Sequence, residues 1–346
     1  MGHLLAAPDK FRGTADASQA AAAAAKGARS AGWTASEVPL ADGGDGLLAA
    51  FAGELRHDKV TGPLGEPVLA EWKLLPAGAG RDGPTAVIEM ANASGLLLAG
   101  GEENNDPLAA TTKGTGELVL RAVSLGAGRI VVGCGGSATT DGGAGALAVI
   151  GSAEALRGAE LIAACDVTTG FLDAARVFGP QKGATPEQVE QLSARLARTA
   201  DRYRDDFGLD VTALAGSGAA GGLAGGLAAL GGSIVSGFEL VAEFVGLDRQ
   251  LAGADLVMTG EGYLDRQSFS GKVVGGVLTH VAGRLPILCV VGDVAPDVGP
   301  VAFEIVSLVA RAGPERARAE VLALIEEVVA EHVAALARST GAGAGA

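Results

Sequence analysis

Residues 130–145 read Ile-Val-Val-Gly-Cys-Gly-Gly-Ser-Ala-Thr-Thr-Asp-Gly-Gly-Ala-Gly. An apolar β-branched run passes into glycines, then hydroxyls, one carboxylate, and a small-residue pattern that suits a helix. Bare backbone N–H groups between a strand and a helix can wrap an anion, because glycine admits unusual backbone angles and puts no Cβ in the way. Gly135, Gly136, Ser137 and Thr139 are the expected donors, with Thr140 beside them. Asp141 suits a divalent cation better than a bare phosphate. The chemistry expected is the handling of a phosphoryl group carried with a metal. Two other readings compete. Gly133-x-Gly135-x-x-Ala138 fits the loose dinucleotide fingerprint, with Glu154 roughly twenty residues on. A tight turn with no ligand is the other, and three hydroxyls and an aspartate weigh against it.

Further chemistry-bearing residues recur just after apolar runs, where open α/β sheets bind ligands. Asp9, Lys10 and Arg12 follow a first short strand, and Asp42 and Asp45 stand in the glycine turn 41–46. Asp166 follows the run 161–164, and Lys182 sits in the loop 177–184. Glu261 and Asp265 follow the run 254–258. Gly216-Ser-Gly218-Ala-Ala-Gly221 is a second loose glycine fingerprint, read equally as ligand contact or close helix packing. No Walker A motif is present: Gly271-Lys272 precedes a valine and lacks the earlier glycine.

The elements that must position these residues alternate strand and helix. Strands are expected at 4–7, 37–40, 85–90, 161–164, 254–258, 286–292 and 303–309. Helices are expected to about Ser30 (capped by Thr14 or Asp16), to about Phe51, and over 117–124, 186–204 and 315–336. Helix 186–204, with its alternating charges, reads as a solvated surface helix. From Lys59 to Glu89 the pattern changes to hairpins, which places a domain boundary near residue 60 and makes the second domain an insertion.

Composition bounds the function. Of 346 residues, 48% are hydrophobic and 19% charged, which excludes a disordered chain. A net charge of −14 argues against nucleic acid or an anionic membrane as partner. Three cysteines and four histidines show no zinc spacing, so reduced thiols in the cytoplasm are expected, and residues 1–7 are too short for a signal peptide. Residues 211–238 carry no charge, but nine glycines break the stretch, so packed helices with glycine loops are expected rather than a membrane span.

Taken together, the motifs resemble the bacterial class I glycerate kinases along nearly the whole chain. The matching segments are Ala7-Pro-Asp-Lys-Phe-Arg-Gly13, Ala41-Asp-Gly-Gly-Asp-Gly46, Ile88-Glu-Met-Ala-Asn-Ala-Ser-Gly-Leu96, Gly114-Thr-Gly-Glu-Leu118 and Gly135 to Gly145. Cys165-Asp-Val167, Val177-Phe-Gly-Pro-Gln-Lys-Gly-Ala184, Gly216-Ser-Gly-Ala-Ala-Gly-Gly222 and Thr259-Gly-Glu-Gly262 continue the series.

The resemblance implies a Rossmann-like three-layer parallel-sheet domain, 1–60 with 240–340, an inserted α/β domain of mixed sheet at 61–239, and a cleft between them. Residues 341–346 would form a flexible tail. It implies ATP-dependent phosphorylation of D-glycerate with Mg²⁺, most simply at the 2-hydroxyl, by a cytoplasmic enzyme. Asp166 would be the general base, with Lys182 and Arg12 gripping the substrate carboxylate or the transferring phosphoryl group. Asp9, Arg12, Asp42 and Asp45 would bind substrate, and Gly135, Gly136, Ser137, Thr139 and Gly218 the nucleotide phosphates. Asp141, Glu261 and Asp265 would hold the metal.

The chain departs from the family in three places: Arg12 stands for lysine, Thr168-Thr169-Gly170 for Asn-Pro, and Tyr263 for arginine. The alternatives are an NAD(P)-dependent hydroxy-acid dehydrogenase, which needs a catalytic histidine, a kinase of a related small hydroxy acid, and a binding protein without turnover. A homodimer is left open.

Overall fold

The structure is a computed structural model that describes residues 2–44, 46–78, 83–269 and 271–342. Asp45 lies outside the described residues, as do 343–346 of the expected tail. The strands, in chain order, are β1 (His3–Ala6), β2 (Thr34–Glu37), β3 (Glu54–Thr61), β4 (Pro67–Leu75), β5 (Thr85–Glu89), β6 (Arg129–Gly133) and β7 (Glu160–Cys165). There follow β8 (Ser233–Ser236), β9 (Leu256–Thr259), β10 (Tyr263–Leu264), β11 (Ile287–Val291), β12 (Asp293–Val294) and β13 (Glu304–Ser307). They divide between two compact units, one made of the chain up to Asp42 and from Phe238 onward, the other of Gly43–Gly237.

In the first unit the sheet order is β13-β11-β9-β1-β2, and every pairing is parallel. Parallel strands covered on both faces need near-continuous apolar sequence, and Ile-Leu-Cys-Val-Val and Leu-Val-Met-Thr supply it. One face packs on helices Ala17–Ser30 and Val321–Ala342, where Ala20, Ala21, Ala24 and Ala28 meet the cluster of Leu324, Ile325 and Val328. The other face packs Cys289 and Val291 against Val274 of helix Val273–Val281 and against Leu264. This is the Rossmann-like three-layer arrangement. Asp16 caps the first helix in a reciprocal box with Gln19.

In the second unit the order is β3-β4-β5-β6-β7-β8. Its first two pairings are antiparallel and the rest parallel, so the sheet is mixed. Ile130, Val132 and Cys134 of β6 and its exit, with Leu161, Ala163 and Cys165 of β7, alternate onto one core shared with helices Lys113–Ser124, Ala144–Ile150 and Ala219–Ala229. A Cβ placed on Gly43 would lie 2.8 Å from the Cα of Gly237, so the first and last residues of this unit touch.

Several elements differ from the sequence reading. β3 pairs with β4 along its whole length, so residues 43–60 belong with the second unit and its first junction falls at Asp42/Gly43. β2 lies at 34–37 instead of 37–40, because this edge strand needs only one partner and tolerates the polar Thr-Ala-Ser-Glu. The helix expected to Phe51 is a single 3₁₀ turn, Leu47–Ala50, closed by Phe51 in an extended conformation while Lys73 Nζ donates to the carbonyls of Leu48 and Phe51. The last helix is two, Pro314–Ala319 and Val321–Ala342, separated at Glu320 where φ is −121°. Residues 341–342, placed in the tail, complete it. Among the described residues no helix is long and apolar enough to cross a membrane.

Candidate active site

In the second unit the glycine-rich stretch leaves β6 at Gly133, and its backbone then runs through Gly136 in a left-handed conformation (φ 63°). The loop is clasped by the segment after Glu89: Leu96 N–H donates to Gly136 O, and Ala138 N–H to Ser94 O, with Gly95 and Ser137 facing each other. Gly135 is half-buried and Gly136 exposed. Among the described residues, the N–H groups of Gly135, Gly136 and Ser137 donate to nothing. Open consecutive N–H groups beside a strand end are the kind of backbone feature on which anions can bind. The hydroxyls of Thr139 and Thr140 are also buried and find no partner among the described residues.

Asp141 does not fit the metal role expected of it. Its Oδ2 accepts from Thr112 N–H at 2.9 Å, Thr112 Oγ1 at 2.8 Å and Gly145 N–H at 3.1 Å, and its Oδ1 from Gly143 N–H at 2.9 Å. A buried carboxylate with four donors is a staple that fixes the loop to the start of helix Lys113–Ser124.

Lys182 is likewise not offered to solvent. It is 2% exposed, and its Nζ donates to Thr139 O at 2.7 Å. Burial holds its pKa down at about 7, against a weaker pull upward from Asp141. It props the loop from behind. Gly218, expected at the phosphates, packs under the backbone of Gly170 and gives its N–H to Thr169 O. Gly218 thus has the close-packing role that was one of the two readings of that glycine cluster.

Asp166 stands one residue beyond β7, the strand next to β6, with its Oδ1 shut off from solvent. Burial, reinforced by the charge of Asp166, raises the thiols of Cys134 and Cys165, the latter to about 11, so both stay protonated and inert near neutrality.

The first unit gathers a different set at the ends of β1, β2 and β9. Asp9 is 6% exposed, accepts Lys10 N–H at 2.7 Å, and is pushed up to about 7, chiefly by burial, with Asp42 and Glu261 adding and Lys10 opposing. Lys10 Nζ lies 3.9 Å from Asp42. Glu261 is raised by burial, and its Oε1 is buried with no hydrogen-bond partner among the described residues.

Asp265 caps a turn, its Oδ1 accepting from Gln267 N–H and Ser268 N–H. Arg12 lines a cavity of about 430 Å³ with Gly262, Asp293, Glu315 and Arg318. Tyr263, where the resemblance expects arginine, is 53% exposed.

Sequence reading missed Asn105, whose Nδ2 donates to both Ala138 O and Lys182 O and so ties the glycine-rich loop to the loop that carries Lys182. It also missed Glu89, which receives Leu48 N–H at 2.7 Å. An asparagine in a polar turn carries no pattern that would single it out. Thr112 stands two residues before the Gly114-Thr-Gly-Glu-Leu118 segment. The histidines sit elsewhere: His57 pairs with Glu71, His280 with Glu239 and Asp248, His332 with Glu304, and His3 with Thr34 and Ser36.

A parallel α/β unit and a mixed-sheet α/β unit with a glycine-rich loop at a strand end define an α/β protein of two compact units. Comparison with known proteins makes this specific. The model of the glycerate kinase family matches residues 4–154 and 149–340, and the chain belongs to that family. It is 39% identical over 338 residues to glycerate 2-kinase of Escherichia coli K12, covering 86% of this chain and 87% of that one. It is 37% identical to the glycerate kinase of Bacillus subtilis 168, covering 85% and 86%. A crystal structure of "putative glycerate kinase 2" from Salmonella typhimurium LT2 superposes with a TM-score of 0.81 at 34% identity, covering 98% of this chain and 99% of that one. With this membership the dehydrogenase and non-catalytic readings fall away.

Proposed function

We propose that the chain transfers the γ-phosphoryl group of ATP to the 2-hydroxyl of D-glycerate, giving 2-phosphoglycerate and ADP. The observation that carries this reading is the row of unengaged N–H groups at Gly135, Gly136 and Ser137, one strand away from Asp166. Phosphoryl transfer needs positioning and charge stabilisation more than covalent chemistry, and such amides serve both ends. The secondary alcohol is a poor nucleophile, and Asp166 would accept its proton as the oxygen bonds to phosphorus and the bond to ADP breaks. Arg12 would receive the substrate carboxylate on its planar fork. Lys182, Asp141 and Asn105 act at one remove, by holding the loop in shape.

Mg²⁺ prefers one or two carboxylates plus phosphate oxygens and water, and would supply charge neutralisation at the phosphates. The buried, unpartnered Oε1 of Glu261, with Asp9 and Asp42 nearby in charge, fits such an ion.

The test is incubation with ATP, Mg²⁺ and D-glycerate followed by phosphorus NMR. A 2-phosphoglycerate resonance that requires all three components is the expected result. A 3-phosphoglycerate resonance instead would correct the position of transfer, and no phosphate monoester would overturn the reading.

A further inference from the structure

Helix Pro186–Phe207 is not merely a solvated surface helix. Leu192, Leu196 and Tyr203 bury its inner face, and Tyr203 Oη donates to Gly142 O at 2.8 Å, anchoring the helix to the glycine-rich loop. Its outer edge carries four arginines. Arg204 is paired, lying 3.1 Å from both Asp201 and Asp210. Arg195, Arg198 and Arg202 are different. They stand at i, i+3 and i+7, hence on one side of the helix, and no carboxylate among the described residues forms an ion pair with any of them.

All three line one cavity of about 690 Å³, together with Thr111, Gly145 and Asp141. The one acid in that wall, Asp141, is buried and has both oxygens engaged by four donors. In a chain of net charge −14, a concave patch lined by three unpaired guanidiniums is a local reversal of sign.

We infer that this groove is a binding site for a multiply charged organic phosphate, separate from the amides of Gly135–Ser137. The arginines span about 10 Å along the helix axis, which suits two anionic groups on one small molecule better than a single phosphate. Guanidinium pairs recognise phosphate and carboxylate oxygens in the same planar geometry. The ligand is therefore either a nucleotide polyphosphate or a phosphorylated carboxylic acid. Because the helix is tied through Tyr203 to Gly142 and the groove wall includes Asp141, occupancy would act directly on the segment that carries the phosphate loop.

The experiment is titration calorimetry of the intact protein with inorganic pyrophosphate, which reads binding and is independent of whether the chain phosphorylates glycerate. We expect Arg198→Ala and Arg202→Ala each to weaken binding by about tenfold, Arg198→Lys to lose less, and raised salt to weaken the wild type more than the variants. Arg316→Ala, which removes an equal charge from the first unit, should change nothing. Far-ultraviolet circular dichroism checks that each variant is folded; all of these arginines are surface-exposed. Competition by ATP would identify the nucleotide form, and competition by 2-phosphoglycerate the phosphorylated acid. Pyrophosphate affinity unchanged in both alanine variants, or lost equally in Arg316→Ala, would overturn the site.

Discussion

The carboxylates of this protein fall into different chemical states through their surroundings alone. Asp141 is saturated by donors, so Asp141→Ala should cost about 3 kcal/mol of stability by stranding buried N–H and O–H groups, with Mg²⁺ affinity little changed; denaturant unfolding and a metal titration check both. Asp166 is the group proposed for chemistry. Asp166→Asn should leave ATP binding intact and lower turnover by about 10²- to 10⁴-fold, measured as kcat against nucleotide Kd. Near-normal turnover would remove it from the mechanism.

Asp9 and Lys182 make stability depend on pH in opposite ways. Asp9 titrates near 7 when folded and near 3.8 when not, so the folded form holds a proton the unfolded chain has released, and this contribution is lost as pH rises from about 4 to 7. Asp9→Asn should thus be more stable than the wild type at pH 8, with the gain shrinking toward pH 4. Lys182 titrates near 7 when folded and near 10.5 when not, so its contribution grows from pH 7 upward and is lost as pH falls through 7. Lys182→Met should flatten that rise in a series of urea melts between pH 6 and about 10.5.

At the scale of elements, what was legible was what repeats. The parallel strands announced themselves as apolar β-branched runs, and the helix after Thr185 by its capping box and the proline that follows. The boundary near residue 60 was misplaced because β3 is polar on much of its surface and its membership is decided by its partner β4, far from any local signal. The same holds at the site. Asp166, Ser137 and their glycines stood out by type and spacing, whereas the staple on Asp141 and the burial of Lys182 arise only when distant segments meet.

Gly221 shows how strict that meeting is. Its φ is 66°, and a Cβ there would overlap the carbonyl of Thr139, the same oxygen that receives Lys182. Gly221→Ala should lower stability by more than about 2 kcal/mol and weaken ATP binding together, since the strain is relieved only by displacing the loop. A variant that melts earlier yet binds ATP normally would show that the loop does not depend on this contact.

At the scale of the whole molecule, the first unit is assembled from two distant stretches of chain and the second from one. Its continuous sequence and single core predict that a fragment comprising residues 43–237 folds alone with cooperative unfolding, checked by circular dichroism and denaturant titration. β1 must find β9 across that whole insertion. An unfolded stretch of roughly 200 residues would charge the first sheet a closure entropy of about 3 kcal/mol beyond that of a short turn. Because Gly43 and Gly237 touch once the insertion is folded, the long loop behaves as a short one. The order of assembly follows from this: the interior domain ties the knot that lets the outer sheet close, and a mutation that melts only the insertion should also slow or loosen β1–β9 pairing in a unit it never altered.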